Sequence, residues 1–109
     1  MGSMHDEACS FRLQAEKELE NGWRFEVVLD LDLDHSRGFT LRLNWADYNL
    51  WSPSGSDRPS DVARAVLAIF IESMDPREIP MNLDAARIRR VVPDADTRVP
   101  AMIRQSPQS

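Results

Sequence analysis

The run Asp30-Leu31-Asp32-Leu33-Asp34-His35 sets three carboxylates at alternate positions, with an imidazole beside the last. On an extended strand, carboxylates two residues apart leave one face about 7 Å from each other, and calcium or magnesium is held by oxygens gathered in this way. The rest of such a site is missing. A helix–loop–helix calcium loop needs a glycine and a distal glutamate at fixed positions, and zinc wants several His or Cys ligands. A half-buried strand already explains the alternation, with leucines inward and aspartates outward, the acids discouraging edge-to-edge pairing. No metal and no cofactor is expected.

A second group is Trp45-Ala-Asp-Tyr-Asn-Leu-Trp51, followed by Ser52-Pro-Ser-Gly-Ser56. Amphipathic aromatics between a sheet and a helix form recognition surfaces or pocket rims, or else plug a small core. Trp45 continues the inward-facing set of the strand before it. Tyr48 and Trp51, with Asp47, are therefore the candidate contact residues, and the Pro/Ser/Gly loop beyond them suits a lid or a linker.

A third group is Arg87, Arg89, Arg90, Arg98 and Arg104. Arg87 and Arg90 are one helical turn apart and could meet phosphate or an acidic partner, but Asp84, Asp94 and Asp96 dilute the field. Residues 58–109 carry eight basic and seven acidic side chains, against five and eleven in residues 1–57. With a net charge of −5 the chain as a whole repels nucleic acid, which leaves only a local patch for such a role.

Nucleophilic chemistry finds little support. The single Cys9 has no orienting His placed by pattern, since His5 falls in an expected tail and His35 in an expected turn, and it reads as a small apolar filler. No GxSxG elbow, phosphate-binding loop, GxGxxG, HExxH or paired-cysteine motif occurs.

The elements that position these groups follow from periodicity. Odd positions from Phe11 to Trp45 are mostly apolar and even ones mostly polar, which predicts three antiparallel strands at about 10–19, 23–33 and 39–46. A three-residue loop, Glu20-Asn21-Gly22, with Gly22 left-handed, pairs Leu19 with Trp23 and keeps the apolar faces aligned. A five-residue connection, Asp34–Gly38, pairs Leu33 with Phe39 and sets Arg12 and Arg42 on either side of Asp30. The meander needs a cover, and Asp57-Arg-Pro-Ser-Asp61 starts a helix over about 58–74 whose apolar arc, centred on Phe70, spans more than half its circumference. Shorter helices are predicted over about 83–92, capped by Asn82, and 97–105.

The expected architecture is one α+β domain over residues 4–105, preceded by a cloning remnant at 1–3 and followed by a disordered tail at 106–109. The longest uninterrupted apolar run, Ala65–Ile71, is far short of the roughly 18–20 residues of a bilayer span. Twelve arginines against the single Lys17 suggest a GC-rich bacterial genome, and the lack of a signal sequence suggests the cytosol. The function expected is a non-enzymatic protein-interaction module, docking another protein or a second copy on the aromatic segment or the free flank of the long helix. Nucleic-acid binding through Arg87 and Arg90, and a ligand pocket between sheet and helix near Asp47, Tyr48 and Trp51, are the alternatives.

Overall fold

Three strands, β1 (Ser10–Leu19), β2 (Gly22–Asp30) and β3 (Ser36–Asn44), form an antiparallel meander in the computed structural model, which describes residues 10–32 and 34–105. The remnant at 1–3, Cys9, Leu33 and the tail at 106–109 lie outside the described residues. Helix α1 (Trp45–Trp51) follows β3 directly, and the long helix α2 (Pro59–Ser73) starts with proline in its first turn. A 3₁₀ turn at Pro76–Glu78, strand β4 (Asn82–Asp84), a second 3₁₀ turn at Ala85–Arg87, and helices α3 (Ile88–Val91) and α4 (Ala95–Gln105) complete the order. The α+β class and the cover by the long helix are as the periodicity predicts.

The inward face of the sheet carries Phe25, Val27, Leu29, Phe39, Leu41 and Leu43, all buried. Helix α2 answers with Val62, Ala63, Val66, Leu67 and Phe70. Each large side chain sealed in this way contributes roughly 1.5–3 kcal/mol, which makes this interface the main source of cohesion. The second flank of α2 is covered within the chain. Helices α3 and α4 pack against it, burying Ile88, Val99 and Ile103, and Arg98 reaches Glu72 at 2.8 Å. Among the described residues, the flank of the long helix that its wide apolar arc left over is thus covered by α3 and α4.

Several local expectations are corrected. The first hairpin turns through two residues, Glu20 and Asn21, so that Leu19 pairs with Gly22 and Glu18 with Trp23. Taken alone that register would put the apolar sets of β1 and β2 on opposite faces. An irregularity between Leu13 and Ala15 absorbs the conflict, leaving Phe11 opposite Leu29 and Leu13 opposite Val27 on the core side. Beyond it Ala15, Lys17 and Leu19 share the wet face with Glu26 and Arg24.

The second connection has the predicted five residues but sits earlier, at Leu31–His35, with Asp30 opposite Ser36 and Phe39 opposite Val27. Moving the register by an even number of residues preserves every face, so alternation could not distinguish the two pairings. The turn is organised by Asp32. Its Oδ1 accepts from the Asp34 amide at 2.9 Å and lies 2.8 Å from His35 Nδ1, while the His35 carbonyl accepts from the Leu31 and Asp32 amides. Asp30 instead meets Arg12 at 3.6 Å, and Arg42 lies opposite Arg24. The acidic run is thus divided between a strand end and a turn, and the carboxylates of Asp30 and Asp32 are engaged separately.

The segment read as the start of a helix at 83 is a fourth strand. Leu83 pairs with Leu41 in parallel register, and the Thr40 amide donates to the Met81 carbonyl at 2.8 Å. The cap belongs to Asp84, which accepts from the Ala86 amide, rather than to Asn82. A three-residue strand carries too little periodicity to register in the sequence.

Gly22 is needed for close approach. A Cβ there would collide with the backbone of Leu43 and Asn44, which do not yield as a flexible side chain would. Gly22→Ala is expected to lower the unfolding free energy by well over 1 kcal/mol in urea titrations. Gly55→Ala, at φ 71° with nothing within 4 Å, should lose only about 1 kcal/mol. The hydrogen bond from His35, followed by that from the Asp34 amide, holds the Asp32 carboxyl below its ordinary value of 3.8. A folded pKa below the unfolded one means that the turn's contribution is complete above 3.8 and fades as pH falls through the lowered value. An NMR titration of the Asp32 carboxyl should show this depression, and His35→Ala should relax most of it.

Candidate functional site

The change from strand to helix at Asn44 sets the geometry of the aromatic segment. Asn44 Oδ1 caps α1 by accepting from the Asp47 amide at 2.9 Å, and the Trp45 amide donates to the Asn21 carbonyl at 2.9 Å. The side-chain period changes there from two to 3.6 residues, which turns Trp45 out of the inward set. Trp45 is 42 % exposed, whereas Tyr48 and Trp51 retain 6 % and 1 %. The expected roles are reversed: Trp45 is the outward aromatic, and Tyr48 and Trp51 are core.

Tyr48 and Trp51 each have their polar atom satisfied. The Tyr48 hydroxyl donates to the Asp57 carbonyl, and the Asp57 carboxylate accepts from Ser52 Oγ at 2.7 Å, so the Pro/Ser/Gly loop is pinned at its far end. Trp51 Nε1 donates to Asp96 Oδ1 at 3.0 Å. The same Asp96 oxygen accepts from Arg89 Nε at 2.9 Å, while Arg89 NH2 meets Asp47 Oδ1 at 2.9 Å. The guanidinium lies 5.1 Å from the Trp51 ring centroid. One arginine thus joins α3 to α1 and α4 through two carboxylates and an indole.

Burial opposes the Arg89 charge, but the hydrogen bond and field of Asp47, with those of Asp96, outweigh it and hold the guanidinium above its ordinary pKa. Asp47 is enclosed, and its Oδ2 is buried without a hydrogen-bond partner. The arrangement is a clamp: one guanidinium held between two carboxylates, with the buried Asp47 as its closest counter-charge. Asp47 is therefore placed for structure rather than contact. Arg89 and Asp96, which the sequence reading left among the arginine set and its diluting acids, are the residues that matter here.

Arg87 and Arg90 are exposed, Arg87 at the end of the second 3₁₀ turn and Arg90 three residues on in α3, which continues that turn without a break. The facing side chains of the sheet and α2 are buried, and a cleft of about 420 Å³ opens beyond Trp51, between Ser54, Ser56 and Asp57 of the loop and Pro100, Ile103 and Arg104 of α4.

What α1 offers outward is Trp45, Ala46, Asn49 and Leu50, the last 49 % exposed. Trp45 is not a loose side chain. Its ring packs on Trp23 with centroids 4.7 Å apart and meets Tyr48 edge-on at 6.1 Å, and Tyr48 closes the cluster against Trp23 at 5.1 Å. Comparison of the chain with protein-family models, with curated proteins and with solved structures finds no match.

Arg89→Met would leave the Asp47 carboxylate buried without its counter-charge. The variant is expected to lose about 3 kcal/mol in chemical denaturation, and Asp47→Leu introduced with it should restore most of the loss, because an apolar pair needs no charge compensation.

Proposed function

We propose that this chain is a protein-interaction module of the cytosol that docks a partner protein on the outward face of α1, with Trp45 as its anchor. The observation that carries this reading is the immobilised, half-exposed Trp45 ring. An aromatic held by two neighbouring rings before binding gives up little further freedom in a complex, and residues of this kind dominate interface energetics. Leu50, five residues on and about 140° round the helix, adds apolar surface at the other edge of the exposed arc, and Asn49 between them supplies a polar contact.

The closed flank of α2 moves the docking surface away from the long helix. A second copy of the chain would have to use the same α1 face as any other partner. The Arg89 guanidinium, already engaged by two carboxylates, supports a structural role for this cluster and a binding role for the face beside it. No described helix is long and apolar enough to cross a membrane.

A photo-crosslinking side chain at Asn49, expressed in the native cell, should form an adduct to a protein that disappears in Trp45→Ala. The same probe at Glu26, on the opposite face of the sheet, should not form it. Trp45→Ala should remain folded, with stability within about 1–2 kcal/mol of the parent, while losing at least about 2 kcal/mol of affinity for the captured partner. Adducts at Asn49 that persist in Trp45→Ala would refute the anchor.

A further inference from the structure

The face of the sheet turned away from α2 carries a charge pattern that folding alone does not require. The observed registers place Lys17 opposite Arg24, Arg24 opposite Arg42, and Arg42 opposite Asp84, so three cations stand side by side on adjacent strands about 4.8 Å apart. Like charges directly opposed on one face oppose pairing. Among the described residues none of the three forms an ion pair, whereas Arg12, Arg58, Arg64, Arg89 and Arg98 each have a carboxylate within 4 Å. A chain with a net charge of −5 thus keeps a row of unneutralised cations on its one open sheet face.

A groove of about 490 Å³ lies along this row, lined by Arg24 and Arg42 with Thr40, Asn82, Asp84 and the apolar edge of Leu19. We infer that the groove binds a small phosphate monoester with hydroxyl groups on its organic part, the phosphate being held between Arg24 and Arg42. Planar guanidinium groups present paired N–H donors that match phosphate oxygens, and a dianion between two of them removes the repulsion the free sheet bears. The Thr40 hydroxyl and the Asn82 carboxamide add neutral donors on the neighbouring row, where Thr40 pairs with Asn82. Asp84, at the end of the cationic row, is an acceptor for hydroxyls and no help to a phosphate. The groove therefore has an anionic-ligand end and a hydroxyl end, and its volume is within the usual range for small-molecule sites.

The same features argue against an extended nucleic acid here. Bases on a sheet surface are held by stacking on aromatic rings, and the outward positions of the four strands include none. Glu26 and Asp84 border the cationic row and repel phosphates on either side of a first one.

The full chain, labelled with ¹⁵N, can be titrated with glycerol phosphate, inorganic phosphate, glycerol and a short single-stranded RNA. Glycerol phosphate should shift the Arg24, Thr40, Arg42 and Asn82 resonances, more tightly than phosphate, with glycerol alone inert. Arg24→Gln with Arg42→Gln should weaken glycerol phosphate by at least about tenfold. That variant should also melt no lower than the parent, because the like-charge opposition is gone. No shift at these four residues with glycerol phosphate, or shifts unchanged in the double variant, would overturn the site. Inorganic phosphate binding as tightly as glycerol phosphate would overturn the hydroxyl end, and RNA binding more tightly than the monoester through the same arginines would overturn the ligand class.

Discussion

A three-stranded meander with one apolar face cannot stand alone in water, and nearly every other element here answers that constraint. Helix α2 covers Phe25, Leu29, Leu41 and Leu43, but in doing so it brings a helix that is apolar around more than half its girth. The cover then needs covering. Helices α3 and α4 do this, and the chain can reach that position only by returning past the sheet, where Leu83 and its neighbours add a strand beside β3. The polar clamp of Arg89 on Asp47 and Asp96 sits where α1, α3 and α4 meet, and it orients three short helices whose own hydrogen bonding is too limited to orient them.

Much of the fold was legible because alternation and helical periodicity are properties of long segments. The strands, the long helix and its ends near Pro59 and Ser73, and the α4 segment all carried enough residues for the period to show. What was hidden were corrections of one or two residues. The irregularity between Leu13 and Ala15 left no mark, since Gln14 is a plausible outward strand residue in either register. The pairing across the second turn was ambiguous by an even number of residues, and the Asp32 carboxylate settles it in favour of a turn at 31–35 through bonds that composition does not display.

The exposure of the aromatic segment was less legible than the fold, and Asn44 shows why. It ends a strand and caps a helix, and with no proline or glycine to announce the change, Trp45 reads as one more inward residue of β3. The Asn44-x-x-Asp47 spacing is a helix-start signal that the period-two pattern overshadowed. Tyr48 and Trp51 were expected as exposed contact residues and are buried instead, with their polar atoms tied to Asp57 and Asp96. The cationic row was invisible for a different reason. Lys17, Arg24 and Arg42 are far apart in the chain, and only the observed registers bring them level.

The parallel pairing of β4 with β3 also bears on how the molecule assembles. Strands β1 to β3 are joined by tight turns, so their pairing closes short loops at small entropic cost. The Leu41–Leu83 pair closes a loop that contains α1, α2 and a 3₁₀ turn, and its three residues bring too few hydrogen bonds to offset that cost unaided. The fourth strand must therefore wait for the long helix to dock. The groove beside it, with Asn82 and Asp84 on its rim, exists only in chains that have completed this last step, which makes its formation a reporter of full maturation rather than of early collapse.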